Sequence, residues 1–313
     1  MGENQTEPWN ERREVKWLNY TVQPPKGLVK GSYYHTERRF GGSEWSKGHL
    51  GELTVVTDDD QKIVFVEFNE TTMEGYYNRY FDNVSKRRSD YGIWQASVQR
   101  QADAGTVLTD GMIHVEKQIL DRQSLDGEFD LLTGASNSMR GLLPLAKELA
   151  LEVGTPSEKR YYGAAEDFGY GITGWLQVVT EKGKIISCFY DEIFADSQED
   201  IHYPALKRYY RQSKYYSPCF EEPKIPGWNS HAFFIGFHKL MDLLNETVVE
   251  YQDLMAIEGL KHVSGADVGP IWDRYSEDDR PLELPQREIK YPVWSNYLKL
   301  AEIIKKEIEL NGR

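Results

Sequence analysis

The sequence predicts an α+β fold of two tandem repeats, each an antiparallel sheet with packed helices. Three observations carry this expectation. Strand-like alternation is bunched at the start of each half, helical periodicity follows it, and the same ordered set of segments occurs twice in the 313 residues.

The hairpin is the clearest element. GELTVVTDDDQKIVFVEFNE, from Gly51 to Glu70, matches GWLQVVTEKGKIISCFYDE, from Gly174 to Glu192. Both read Gly-x-Leu-x-Val-Val-Thr, a polar turn, Lys-Ile, and an apolar run closed by an aromatic residue, Asn or Asp, and Glu. Period-2 alternation on both sides of a turn is the pattern of half-buried strands. The turns differ by one residue, DDDQ against EKG.

The match extends in both directions. Tyr33-Tyr34 corresponds to Tyr161-Tyr162, and NRYFDNVSK (Asn78 to Lys86) resembles KRYYRQSK (Lys207 to Lys214). Met112 to Leu120 falls where Phe237 to Leu244 does. Thr133-Gly134-Ala135-Ser136 lines up with Ser264-Gly265-Ala266-Asp267, and Leu142 to Gly154 resembles Tyr297 to Gly312. Six elements in one order give two domains, 25–155 and 156–313, joined near VGTPSEKR, where Gly154 and Pro156 break regular structure. The second copy carries an insertion, 268–294, whose prolines mark an irregular excursion. Its closing helix has Ser295 as a candidate cap and Leu300, Ile304 and Ile308 as an apolar stripe.

Composition bounds the function. A net charge of −13 repels nucleic acid and anionic membranes, so no nucleic-acid partner is expected. No apolar run approaches the ~20 residues of a membrane helix, so no membrane span is expected in this chain. The segment MGENQTEPWNERREVKW has no apolar signal core. That points to a cytoplasmic protein, or to an extracellular, membrane-associated one if an export and lipidation signal has been trimmed. Two cysteines, Cys188 and Cys219, allow one disulfide but no framework. The seven histidines show no metal-ligand spacing, so no metal is expected, and no nucleophilic triad or phosphate loop is present. No catalytic residue is therefore assigned.

The chemistry-bearing stretch is FDLLTGASNSMR, from Phe129 to Arg140. Gly134 permits a backbone closed to other residues, Ala135 keeps the wall low, and Thr133 and Ser136 bring two hydroxyls to a turn. The apolar pattern Met139, Leu142, Leu143, Ala146, Leu149 that follows is helical, so the turn opens a helix whose first N–H groups favour an anion such as phosphate. Pro144 is expected to kink that helix or to delay its regular part. Taken alone, these residues are those of an ordinary capped turn; Asp130, three residues before Thr133, adds a further feature.

Asp130 to Ser136, DLLTGAS, resembles the flavinylation motif Asp-x-x-(Ser/Thr)-Gly-Ala-(Ser/Thr) of the FMN-binding domain family. That bacterial family includes subunits of the sodium-translocating NADH:quinone reductase and of the Rnf complex, FMN-carrying lipoproteins, and reductase domains of extracellular electron transfer. The opening hairpin is similar to that family's as well. The resemblance implies that Ser136 is joined to FMN as a phosphoester by a flavin transferase. Asp130 would be the acid which that enzyme and its metal recognise, with Thr133, Gly134 and Ala135 shaping the turn. It further implies an electron carrier rather than a stand-alone catalyst, working with a redox partner such as a membrane reductase or a quinone- or flavin-dependent donor. Many members carry Thr as acceptor where this sequence has Ser136.

In the second copy Lys261 replaces Asp130 and Asp267 replaces Ser136, so that copy is expected to carry no flavin. Alternatives to covalent attachment are non-covalent FMN binding and a non-enzymatic interaction protein that keeps the fold. Glu70 and Glu192 end the two hairpins and read as loop caps or as neighbours of a flavin ring. The aromatic run GYYNRYF (Gly75 to Phe81) with Trp94 reads as core, and SKRR (Ser85 to Arg88) as a solvated helix face.

Overall fold

The computed structural model describes residues 14–44, 47–202, 204–216, 237–260 and 293–311. The chain divides into two compact units, residues 1–22 with 29–161 and residues 23–28 with 162–313. The fold is α+β.

In unit 1, strands β1 (Gly27–Phe40), β2 (His49–Thr57) and β3 (Ile63–Thr71) neighbour one another in the order β3-β2-β1. Both pairings are antiparallel. Short helices α1 (Tyr91–Ala96) and α2 (Gln99–Ala104) lead into α3 (Leu108–Arg122) and α4 (Ser136–Ala150). Leu53, Val55, Val66 and Phe68 of the sheet meet Met112, Val115 and Ile119 of α3 and Met139, Leu142, Leu145, Ala146 and Leu149 of α4. Each fully buried side chain of this size contributes roughly 1.5–3 kcal/mol.

Unit 2 holds β4 (Lys159–Asp167), β5 (Ile172–Glu181) and β6 (Lys184–Phe194), neighbours in that order, then α5 (Phe237–Tyr251) and α6 (Val293–Asn311).

Within each unit the same local devices stand at positions that the sequence match pairs. Each hairpin has a register shift next to its turn, at Val56/Thr57 and at Val179/Thr180. The shorter turn uses Lys182 (φ 51°) and Gly183 (φ 79°), both left-handed, as a two-residue hairpin requires. The longer one is organised by Asp58, whose carboxylate accepts from the N–H groups of Asp60 and Lys62. A glutamine after the following helix clamps the start of the second strand. Gln123 bonds the N–H and C=O of Ile63, and Gln252 does so for Ile185. Both glutamines have positive φ, 54° and 56°. This clamp sets Met112 against Met241, one helical turn later than the match to Phe237 expected from sequence.

Two local expectations change. Helix α4 runs through Pro144 from Ser136 onward, its first turn closed by Met139 N–H to Ala135 C=O, so Pro144 does not delay it. Core contacts on both sides of Pro144 outweigh the one hydrogen bond that the ring removes. Ser295 lies inside α6 rather than capping it, because the helix already begins at Val293. Leu300 and Ile304 are buried as the stripe requires.

Gly111 on α3 is fixed by packing: a Cβ there would stand 2.5 Å from the Cβ of Ala135. Gly111→Ala is expected to destabilise the protein by about 1–3 kcal/mol in urea denaturation, because the overlap outweighs the better helix propensity of alanine.

Candidate functional site

Leu132 to Ala135 form a turn closed by the Ala135 N–H to the Leu132 C=O at 3.2 Å. Its third residue, Gly134, has φ +97°, and a Cβ there would stand 3.1 Å from the Cβ of Ala104. Ala135 is buried, Gly134 and Ser136 are half-buried, and Thr133 and Asp130 are exposed. The side chain of Gln118 holds the Asp130 backbone, accepting its N–H at 3.0 Å and donating to its C=O at 2.9 Å.

The capped-turn reading fails in one respect. The cap position of α4 is Ala135, which makes no side-chain cap bond, and Ser136 is the first helical residue. Sequence places Thr133 and Ser136 around the helix start, but neither takes the position from which a hydroxyl satisfies the free N–H groups. The corresponding stretch of the second copy, with Lys261, Ser264, Gly265, Ala266 and Asp267, lies outside the described residues, as does most of the insertion 268–294.

Other chemistry-bearing side chains gather at the same end of the unit 1 sheet. Helix α4 runs back along β1: Glu148 bonds Thr36 and Arg38, while Gly141 lies against Phe40 and Leu142 against Gly51. Ser136, about 7 Å of helix before Gly141, therefore lies toward Phe40, His49 and the end of β3. There Glu70 is buried, not a loop cap, and pairs with buried Lys86. The Lys86 N–H also bonds the Glu70 C=O at 2.8 Å.

Sequence reasoning missed the cations. SKRR is no solvated face: Lys86, Arg87 and Arg88 are all buried. Arg87 forks onto Glu116 at 2.5 and 3.1 Å, and Arg88 pairs with Glu67. Burial works to raise the Glu67 carboxyl, but Arg88 and Arg87 outweigh it and hold it below the usual range. Glu70 is raised, because burial outweighs Lys86. One signal was available in the sequence: Glu70 and Ser85-Lys86 recur as Glu192 and Ser213-Lys214, and Glu192 pairs with Lys214 in unit 2, both buried.

His49 Nδ1 stands 3.7 Å from Glu70 Oε1 and accepts the Met73 N–H at 3.1 Å. Burial, then Lys86, lowers its pKa to about 4. The ring is neutral at pH 7, with its proton on Nε2. Lys86 Nζ lies 5.9 Å from the Tyr76 ring centre and 5.2 Å from that of Tyr91. The two hydroxyls meet at 3.0 Å, and burial raises both. Tyr76, Phe81 and Tyr91 form a buried cluster with Trp94 against it, as the core reading of the run expects. Tyr77, its ring tilted 45° to that of Tyr76 at 4.4 Å, is 73% exposed.

His35, Glu37 and Glu52 also bring ligand atoms within 4.8 Å of one another. Their grouping arises across paired strands, so sequence spacing does not reveal it. They are largely exposed, and no metal role is assigned to them. Cys188 is a buried free thiol, pushed up to about 12 by burial; Cys219 lies outside the described residues. No helix among the described residues is long and apolar enough to cross a membrane.

No protein-family model matches the chain, and no curated protein matches it. Among solved structures, it is similar to the crystal structure of the CPE2226 protein from Clostridium perfringens. The identity is 21%, the match covers 40% of this chain and 89% of that one, and the TM-score is 0.29. A likeness at that level supports no statement about fold or function.

The Glu70–Lys86 pair makes a sign-definite prediction. Lys86→Met leaves a buried carboxylate uncompensated and is expected to cost about 3–5 kcal/mol at pH 8. The folded pKa of Glu70 is already raised and rises further without Lys86. A group so raised favours the folded state fully below its unfolded pKa and loses that contribution as pH rises toward the folded value. The deficit of Lys86→Met relative to wild type is therefore expected to shrink at pH 5, as measured by urea denaturation at both values.

Proposed function

We propose that the chain is a flavoprotein electron carrier with FMN attached through its phosphate to Ser136. The observation that carries this reading is the start of α4. A half-buried serine opens the helix, and its cap position is an alanine, which makes no side-chain cap bond to the first N–H groups. Those N–H groups and the helix dipole favour a phosphate at that place. Asp130 is exposed on a backbone held by Gln118, where a flavin transferase has access to it. The residues present fit the group: a hydroxyl to esterify, a left-handed glycine that lets the turn pass close to Ala104, and aromatic rings at the same end of the sheet.

Attachment would join Ser136 Oγ to phosphorus, giving an ester that differs from serine plus free FMN by one water. In water the donor must be a flavin whose phosphate is already in an anhydride. The Oγ–P bond forms, the anhydride P–O bond breaks, the other half of the anhydride departs with the bonding pair, and the hydroxyl proton passes to a base of the transferase. The flavin, once bound, supplies reversible electron transfer. The chain anchors the phosphate at α4, and unit 1 offers Tyr76, Tyr77 and Trp94 as apolar walls. Electron donor and acceptor are separate redox proteins in this reading, and unit 2 carries no covalent flavin.

Co-expression with a flavin transferase, followed by denaturation and intact-mass measurement, tests the reading. The expected result is a gain of one FMN minus one water with visible absorbance retained, and Ser136→Ala is expected to abolish it. Two added groups refute the reading of Asp267; no added group refutes covalent attachment.

A further inference from the structure

The buried Glu–Lys pair stands in both units, but its completion differs. In unit 2, Glu192 Oε2 takes Lys214, and Oε1 accepts from the Tyr190 hydroxyl at 2.8 Å and from Asn296 Nδ2 at 3.3 Å. In unit 1, Glu70 Oε1 takes Lys86, while Oε2 is buried without a hydrogen-bond partner among the described residues. The sequence match supplies the reason. Phe68 stands where unit 2 has Tyr190. Gly141 stands where it has Asn296, in the frame that pairs buried Leu145, Ala146 and Leu149 with Leu300, Ala301 and Ile304. Both donors are gone. In the hairpin frame, which pairs Gly51 with Gly174, His49, with 17% of its side chain exposed, replaces Ile172. An acceptor left unfilled costs about 1–3 kcal/mol, and a buried orphan in a folded protein calls for an explanation.

We propose that the His49–Glu70–Lys86 cluster of unit 1 is a binding site for a flat nitrogen heterocycle with a ring N–H, the donor that Glu70 Oε2 lacks. The cluster of unit 2 is its closed, structural counterpart. The charges select this class. Lys86 already neutralises Glu70, so a cationic amine meets repulsion from Lys86, and an anion meets it from Glu70. The walls select flatness: Tyr76 and Tyr91 are partly turned toward the cluster through Lys86, and Tyr77 and Trp94 continue the aromatic surface outward. Of the three side chains His49 is the most exposed, at 17% against 6% for Lys86 and 1% for Glu70, so the cluster is approached from its side. The proposal rests on the flavin reading for its ligand, since an isoalloxazine ring carries such an N–H between two carbonyls.

Riboflavin is the probe, because it has the ring without the phosphate and cannot be held through an ester at Ser136. Titrated with the full chain, its fluorescence is expected to be quenched saturably. Phe68→Tyr restores the donor of unit 2 and is expected to weaken this binding at least tenfold while raising the melting temperature. His49→Ile, the other change toward unit 2, is expected to weaken it several-fold, and it decides the matter should Phe68→Tyr fail to fold. Absence of saturable quenching by wild type overturns the proposal, as does quenching that folded variants leave at wild-type strength. Covalent FMN at Ser136 together with either of those outcomes refutes this site and leaves the carrier reading standing. Riboflavin binding that Phe68→Tyr weakens, in a chain that accepts no covalent FMN, does the reverse.

Discussion

Three consecutive cations, Lys86, Arg87 and Arg88, are buried where the chain returns to the end of β3, and the architecture of unit 1 depends on how they are neutralised. Each finds a different carboxylate. Lys86 takes Glu70 and Arg88 takes Glu67, both on β3, and Arg87 reaches Glu116 on α3. Arg87 also donates to the Phe68 C=O at 2.8 Å, while Glu116 accepts the Phe68 N–H at 2.7 Å, so one ion pair closes over a backbone unit of the strand. Buried pairs are poor sources of net stability, because desolvation offsets most of the attraction. Their value here is register. A shift of one residue in the returning segment would leave three charges facing the wrong partners, and each uncompensated charge costs several kcal/mol.

That register has consequences for the candidate site. The returning segment is tied on by Lys86 N–H to Glu70 C=O and by Thr72 N–H to Val84 C=O. It leads directly into α1, which carries Tyr91 and Trp94, and Gln95 of α1 in turn accepts the N–H of Leu108 at the start of α3. Gly111, one turn along α3, then receives Ala135. The turn at Thr133–Ser136 is thus positioned by a continuous chain of contacts from the ion pairs, although some fifty residues separate it from them in sequence.

The parts legible in the sequence were those governed by short-range periodicity. Alternation in residues 51–70 and 174–192 gave the hairpins, and helical spacing gave the apolar faces of α4 and α6, because a strand or helix buries one face whatever lies opposite. The ion pairs obeyed no such rule. A run of Ser-Lys-Arg-Arg has the composition of a solvated face, and its burial follows only from carboxylates 16 or more positions away. Comparing the two matched halves of the sequence was the way to see it, since Glu and Ser-Lys occur in both. The turn that opens α4 was legible, but which residue takes the cap position was not: it is Ala135, and Ser136 is the first helical residue.

The two units then pose a physical contrast. Unit 2 fills the carboxylate of Glu192 with lysine, tyrosine and asparagine donors and surrounds Lys214 with Phe194 and Phe237. Unit 1 has an aromatic ring without the hydroxyl, a glycine without the amide and a histidine in place of an isoleucine. A single such change is within the drift that a stable domain tolerates. Three changes fall around one carboxylate: two delete a donor and leave Glu70 Oε2 unfilled, and one places a titratable ring beside it. Stability given up repeatedly at one point is what functional sites commonly show, and an unfilled buried acceptor is a group from which a ligand with a donor can gain. The unit with the incomplete carboxylate is also the one with Asp130 and Ser136, so the proposed ring site and the proposed attachment site fall in the same unit.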